Sequence, residues 1–151
     1  MPPAEILART LYAEAGDLTV RAIEGLAALV LTRARLAAEP GGPRHWGQGV
    51  AGVCRAPFQF PCWNPRHPRH ALLVAPGEGT ASLAACRRVA LRAIAGVLPD
   101  PTGGATHWHR SEDLPGWAIA RVPVAEIGGL SFHRADAAAP PAVAARPRRV
   151  A

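Results

Sequence analysis

The sequence predicts an α+β fold with a helical body, a small antiparallel sheet and a long ordered loop. Three observations predict it. Apolar residues recur at helical spacing in three segments, a Pro- and Gly-rich stretch separates the second segment from the third, and short extended segments joined by a glycine turn follow. The chain has 151 residues, which suits one domain with one core, and we place that domain at residues 1–134.

The first two helices are predicted from apolar spacing and from residues that begin or end helices. Two prolines open the first helix, which ends at Gly16, because proline suits a first turn and glycine a C-cap. The second helix spans about residues 19–36. Asp17 or Thr19 would cap its start, and Arg33 is expected to lie toward water.

The remaining elements follow in chain order. Residues 39–79 are predicted to form the long ordered loop, because Pro and Gly are frequent there. The third helix spans about residues 80–95, with Leu91 and Ile94 expected on its inward face. The sheet is expected to comprise a strand at residues 105–110 and a hairpin of residues 121–127 and 130–134. Residues 135–151 hold mainly Ala, Pro and Arg, and a disordered tail is expected there.

The charge of the chain favours an anionic partner. Its basic residues are all arginine, the formal net charge is +6 and the sequence pI is about 10.9. Nucleic acid, anionic lipid and anionic wall polymer all satisfy that condition. No recognition motif for nucleic acid accompanies the charge, and charged residues interrupt the apolar runs, so neither a nucleic-acid partner nor a membrane span is expected.

Cysteine usage and the N-terminus bear on the cellular compartment. Cys54 and Cys62 are eight residues apart across the predicted loop and could pair in an oxidising compartment, whereas Cys86 falls on a helical apolar face. No signal peptide is evident, since the first residues lack a basic region followed by an apolar one. Either export is expected to use something outside this sequence, or the chain is expected to reach its substrate by another route.

Glu14 is the residue most informative about chemistry. It follows Leu7 by seven residues and Leu11 by three, which places it on the apolar face of the first helix. A carboxyl group there is costly unless it is paired or needed. Desolvation also helps a carboxyl keep its proton, which a general acid requires. The alternative is a structural ion pair with Arg9 or with an arginine from another segment.

Four segments carry motifs that favour a general acid, rather than a structural ion pair, as the role of Glu14. They are residues 8–15 (ARTLYAEA), 23–33 (IEGLAALVLTR), 58–64 (FQFPCWN) and 100–109 (DPTGGATHWH). In order and spacing they resemble motifs of the SleB-like spore cortex-lytic and cell wall hydrolase family, over about residues 5–134. One departure is that Leu130 stands where the family often has a histidine, so the role of that histidine is expected to be lost or moved.

The resemblance implies a lysozyme-like fold and cleavage of peptidoglycan between N-acetylmuramic acid and N-acetylglucosamine, with Glu14 at the position of the catalytic glutamate. It implies no cofactor. N-acetylmuramoyl-L-alanine amidase activity is an alternative, and so is a module that binds peptidoglycan without cutting it. Action at the bacterial cell wall or periplasm is implied. A phage-like tail or lysis machinery would suit delivery of a chain without a leader.

The number of suitable carboxylates favours one reaction type. Most glycosidases use two, but Asp17, Asp100, Glu112 and Asp113 all fall at turn-like positions. A lytic transglycosylase needs only one, because the 6-hydroxyl of the muramic acid attacks its own C1 and is already tethered there. The sequence therefore favours a lytic transglycosylase with a single catalytic glutamate.

Amide, aromatic and histidine side chains complete the predicted site, since they suit N-acetyl groups and sugar faces. The predicted substrate-binding residues are Gln59, Trp63, Asn64, Thr102, Gly103, Gly104, His107 and His109. For Trp63 and Asn64 the alternatives are core packing and capping of a turn. Thr102 and its two glycines would shape a turn close to the sugar.

Strand alternation puts His107 and His109 on one face, with Trp108 on the other. The resemblance implies that this strand lines the cleft, and hydrogen bonding to glycan is therefore expected of the two histidines. A zinc site completed by His133, His67 or His70 is the alternative, and it is less favoured because no ordered set of four ligands appears. No metal is predicted.

Overall fold

The computed structural model describes residues 1–77 and 80–134 as a helical body with a small sheet at one side. The helices are α1 (Pro3–Ala15), α2 (Val20–Ala38), α3 (Gly49–Arg55), α4 (His70–Val74) and α5 (Ala81–Ile94). The strands are β1 (His107–Arg110), β2 (Ala125–Ile127) and β3 (Leu130–His133). The predicted tail, residues 135–151, lies outside the described residues.

The three long helices form where apolar spacing and caps predict them. Helix α1 packs mainly against α5, and α2 packs against both α3 and α5. Thr19 is the N-cap of α2, since its Oγ1 accepts the Ala22 N–H at 3.1 Å, and Thr80 caps α5 through the Leu83 N–H at 3.1 Å. The core between the helices consists largely of Leu, Ile, Val and Ala side chains.

Three side chains of the helical body lie where the sequence analysis did not expect them. Arg33 is 5% exposed: its Nε donates to the Thr106 carbonyl at 2.7 Å and its guanidinium lies over the Trp46 ring. Burial lowers the pKa of Arg33 to about 10. Leu91 and Ile94 are exposed, because the buried face of α5 runs through Cys86, Ala90 and Ala93 instead.

The long loop is more regular than predicted. It contains α3, α4 and the two 3-10 turns Arg44–Trp46 and Pro61–Trp63. Helices α3 and α4 both contact α1, so this segment is packed onto the helical body. Its two cysteines, Cys54 and Cys62, are free thiols in this structure, and both are fully buried.

The sheet is antiparallel with the order β1-β3-β2, and His107 pairs with His133. All three strands are shorter than predicted, and β3 ends at His133 rather than at residue 134. Ala105 belongs to the preceding turn, because its N–H bonds the Thr102 hydroxyl at 3.1 Å, and β2 begins after Pro123, which has no N–H to offer a ladder. Within the described residues, no helix is both long enough and apolar enough to cross a membrane.

Candidate active site

A cleft of about 600 Å³ lies beside the C-terminal end of α1. Glu14 of α1 lines it together with two other segments of the chain. The first is the stretch from Phe58 to Arg69, and the second is the stretch from Trp108 to Trp117. The helical body and the sheet therefore both contribute to the cleft, and α1 contributes the Glu14 carboxylate to it.

The Glu14 carboxylate is buried and held by the main chain. The residue is 2% exposed, and its Oε2 accepts the Cys62 N–H at 2.9 Å. Arg9, the partner considered for a structural ion pair, bonds Glu5 at 2.9 Å instead. Across residues 1–77 and 80–134 no arginine forms an ion pair with the Glu14 carboxylate. The ion-pair alternative is therefore absent from this structure.

The Cys62 thiol also lies against this carboxylate. Burial raises the pKa of Cys62, and the negative charge of Glu14 raises it further. Burial likewise raises the pKa of Cys54 to about 12. Both thiols are consequently neutral, which suits a structural role beside the acid. Neither cysteine is present as the thiolate that a nucleophile needs.

Two arginines bind the last turn of α1. Arg110 Nη1 donates to the Glu14 carbonyl at 2.9 Å, and Arg69 Nη1 donates to the Ala13 carbonyl at 3.3 Å. The final carbonyls of a helix have no partner within the helix, and cations are favourable there. Asp17 holds Arg110 through a 2.9 Å bond that lowers the pKa of Asp17. This carboxylate therefore has a structural partner.

The two strand histidines share a face, as predicted. His107 and His109 both contact the Trp117 ring, whereas Trp108 stacks on Phe60 with ring centroids 5.7 Å apart. Only His109 lines the cleft with Glu14.

His109 is bonded on both sides. Its Nδ1 lies 2.8 Å from the Arg110 carbonyl, so it carries the proton, and its Nε2 then accepts from His133 Nε2 at 3.2 Å. The pKa of His133 is lowered to about 4, mainly by burial and to a smaller extent by the charges of His109 and Arg121. Leu130, at the position where a histidine was expected from the resemblance, is fully buried in the core.

Each histidine considered as a third zinc ligand makes a hydrogen bond instead. His133 lies beside His109, and its Nε2 is 3.2 Å from His109 Nε2. His67 Nδ1 accepts the Arg69 N–H at 3.1 Å, and His70 Nδ1 lies 2.9 Å from the Cys62 carbonyl. In the part of the chain that the structure describes, no group of three or more His, Cys, Asp or Glu side chains could hold a metal ion.

Of the predicted substrate-binding residues, Gln59 and His109 lie in the cleft with Glu14. Gln59 Nε2 is buried and has no hydrogen-bond partner among the described residues. A buried donor of this kind normally has an acceptor, and the described residues supply none for Gln59 Nε2.

The other predicted residues do not line the cleft. Trp63 packs against the core and its Nε1 donates to Thr10 Oγ1 at 3.1 Å, while Asn64 Oδ1 accepts the Arg66 N–H at 3.0 Å. Thr102 is buried and bonds Asp100 at 2.6 Å within the turn that also contains Gly103 and Gly104. His107 does not itself line the cleft; its ring contacts Trp46 and the cleft residue Trp117.

Several residues of the cleft were not predicted. Glu112 and Asp113 do occupy a turn, closed by the Asp113 N–H bonding the Arg110 carbonyl at 3.0 Å, but that turn is part of the cleft. Phe58 and Trp117 supply aromatic rings there. No periodic pattern marks Phe58, although it directly precedes Gln59 in the segment that carries the resemblance.

Comparison with known proteins identifies the fold. The structure is similar to the catalytic domain of the Bacillus cereus SleB protein, with a TM-score of 0.61 and 21% identity over 87% of this chain and 89% of that one. It is equally similar to the catalytic domain of the germination-specific lytic transglycosylase SleB from Bacillus anthracis, with a TM-score of 0.61 and 24% identity over 87% and 93%. No protein of curated function matches the chain.

The family assignment comes from the sequence. A family model described as Cell Wall Hydrolase matches residues 22–133, which is most of the chain. The match begins in the first turn of α2. The predicted α+β, lysozyme-like architecture is confirmed by the SleB structures. The chain belongs to the cell wall hydrolase family.

Proposed function

We propose that the protein cleaves the glycan strands of peptidoglycan between N-acetylmuramic acid and N-acetylglucosamine, as a lytic transglycosylase at the bacterial cell wall. The observation that carries the proposal is the Glu14 carboxyl, which is buried without an ion-pair partner among the described residues and lies in a cleft of about 600 Å³. Clefts of this size accommodate ligands of several rings. The lytic transglycosylase from Bacillus anthracis, which shares the fold, supports this reaction type.

The reaction needs one group that gives a proton and then takes one. Protonated Glu14 donates to the glycosidic oxygen as the bond to C1 of the muramic acid breaks. The 6-hydroxyl of the same sugar attacks C1, and the Glu14 carboxylate accepts its proton, leaving a 1,6-anhydro sugar and a free 4-hydroxyl on the leaving sugar. The Cys62 N–H keeps the carboxylate in place through both transfers.

Two polar side chains of the cleft are suited to binding. Gln59 Nε2 would donate to an N-acetyl carbonyl or a sugar hydroxyl, which would satisfy its unpaired N–H groups. His109 is fixed in one tautomer by its two hydrogen bonds and forms part of the cleft surface. Trp63, Asn64, Thr102, Gly103, Gly104 and His107 would then support the site through packing and turn structure.

Hydrolysis is a second candidate, and a specific observation favours it. Glu112 and Asp113 line the same cleft as Glu14. A second carboxylate there could activate water, as in inverting glycosidases. Glu112 is paired with Arg110 at 3.2 Å, which leaves Asp113 as the better candidate for a base.

The test compares the parent protein with Glu14→Gln and Asp113→Asn by mass spectrometry of digested muropeptides, with a melting curve for each. We expect anhydro products from the parent and from Asp113→Asn. We expect no cleavage by Glu14→Gln at an unchanged melting temperature, because Gln can accept the Cys62 N–H but cannot donate the acidic proton.

Reducing-end products that disappear in Asp113→Asn would establish hydrolysis instead. Cleavage by Glu14→Gln at more than a few per cent of the parent rate would refute the assignment of the acid. Products cut at the stem peptide would indicate the amidase. A parent protein that binds the wall without lowering the turbidity of a wall suspension would be a binding module.

A further inference from the structure

Phe58 combines two features that each oppose folding. Its ring is fully exposed to water, although it is a large apolar side chain. Its backbone has a φ of +67°, and it is the one non-glycine residue with positive φ among the described residues. Residues with a Cβ are disfavoured in this region, and bulky ones particularly so. Stability of the fold does not explain a phenylalanine at this position.

The location of Phe58 supplies a reason. It lines the cleft that contains Glu14, and it directly precedes Gln59, a second cleft residue, whose buried amide nitrogen has no hydrogen-bond partner among the described residues. The second lining segment contributes two more aromatic residues, Trp108 and Trp117, of which Trp117 is 44% exposed. The positive φ therefore presents a ring to the cleft at the position next to the amide donor.

Phe58 and Trp117 differ in how their rings are held. Trp117 contacts the rings of His107, His109 and His133 at centroid distances of 5.7, 5.6 and 5.0 Å, so its orientation is fixed by the sheet. Phe58 has no ring contact of this kind within the described residues and is oriented by its backbone alone. Trp117 therefore packs against the sheet besides lining the cleft, whereas the Phe58 ring is available only for contact with a ligand.

We propose that Phe58 is a substrate-binding residue that stacks on the apolar face of a pyranose ring of the glycan strand. The inference rests on the proposed function and adds a binding contact that neither the sequence motifs nor the family assignment identifies. Aromatic rings bind sugars through their C–H faces, and an exposed ring beside an unpaired amide donor matches an N-acetylated sugar, which offers an apolar face and a carbonyl acceptor.

The test uses three variants at the same backbone geometry. Phe58→Gly and Phe58→Asn remove the ring with residues that tolerate positive φ, and Phe58→Tyr keeps it. With soluble glycan strands as substrate, we expect KM to rise roughly three- to tenfold for Gly and Asn, the range given by the worth of one aromatic contact. We expect kcat within twofold of the parent, a near-parental KM for Tyr, and melting temperatures that do not fall.

Leu91→Ala is the control, since Leu91 is an exposed apolar residue on α5 outside the cleft, and it should leave KM unchanged. An unchanged KM in Phe58→Asn overturns the inference. A raised KM that comes with a lowered melting temperature overturns it too, because Phe58 would then support the fold.

Binding separates this inference from the proposed function. Calorimetry with the same glycan strands compares Glu14→Gln with the double variant Glu14→Gln, Phe58→Asn. If the parent leaves the strands intact while the double variant binds them more weakly, the proposed reaction fails and the contact stands. If the parent cleaves and the double variant binds as well as the single one, only the contact fails.

Discussion

Arg110 Nη1 donates to the Glu14 carbonyl oxygen at 2.9 Å, so the first strand of the sheet binds the end of the helix that carries the candidate acid. The same guanidinium bonds Asp17 at 2.9 Å and Glu112 at 3.2 Å. One side chain thus links α1, the turn after it and the cleft turn. The position of the acid relative to the sheet depends on this planar, many-donor group.

Replacing Arg110 with lysine should lower both stability and rate. Lysine can satisfy one of these acceptors but not the Glu14 carbonyl and the Asp17 carboxylate together. We expect a loss of about 1–2 kcal/mol in the free energy of unfolding, and a fall in kcat with KM little changed, because Glu14 is displaced. Arg35→Lys, at an exposed pair 3.6 Å from Glu39, is the control and should have no measurable effect on either. Equal effects of the two substitutions would contradict this role for Arg110.

Trp63→Ala should act on stability rather than on binding. The indole packs against the core and donates to Thr10 at 3.1 Å. We expect a loss of roughly 2–4 kcal/mol, measured by denaturant unfolding, with an unchanged KM in the folded fraction. Trp63→Phe keeps most of the packing and should lose about 1 kcal/mol with the hydrogen bond. A parental melting temperature with weakened glycan binding would restore the stacking role that the sequence suggests for Trp63.

Gly25→Ala should destabilise the protein although alanine favours helices. At an exposed helical site this change gains about 0.5–1 kcal/mol. Here a Cβ would lie 2.9 Å from Phe132 Cζ and 3.2 Å from Thr102 Cγ2, so we expect a net loss of about 1–3 kcal/mol. Gly116→Ala, with no heavy atom within 4 Å of its added Cβ, should change stability by less than about 0.5 kcal/mol. A gain in stability for Gly25→Ala would show that α2 and the sheet can separate.

Stability should fall as the pH drops from about 6.5 to about 4. Burial lowers the pKa of both His107 and His133 from 6.5 to about 4. Between these values the unfolded chain binds protons that the folded chain does not, so acid favours unfolding, whereas above pH 6.5 the contribution is complete and constant.

A non-titrating variant isolates this effect. His133→Gln keeps a donor for His109 and should flatten the slope of unfolding free energy against pH, measured by urea titration at each pH. Glu5, whose pKa Arg87 and Arg9 lower to about 2, affects stability only below about pH 4.5, so its titration lies outside most of the window. A slope unchanged by His133→Gln would contradict the prediction.

The elements that could be predicted are those with local signals. Thr19 and Thr80 begin helices at the expected residues because a hydroxyl at an N-cap acts within three residues of itself. Glu14 could be placed on a buried face for the same reason, since α1 has a clear period. The strand histidines share a face because alternation is also local.

The remaining features depend on residues far apart in the chain. Arg33 is buried because the Thr106 carbonyl, 73 positions away, accepts its N–H, and no local pattern encodes that contact. In the long loop apolar residues do not recur at a regular spacing, so no pattern predicts that Trp63 packs inward while Phe58 is exposed. Leu91 was misplaced because α5 has apolar residues on more than one face.

The three cysteines offer a built-in report on local opening of the chain. Each is a fully buried free thiol with a raised pKa, so a thiol reagent can react only after the surrounding structure opens. Cys62 adjoins Glu14, whereas Cys86 lies in α5 within the helical body. The ratio of their labelling rates therefore measures how much more often the structure opens around Cys62, beside the acid, than around Cys86 in the helical body. A bound glycan should slow labelling at Cys62 far more than at Cys86.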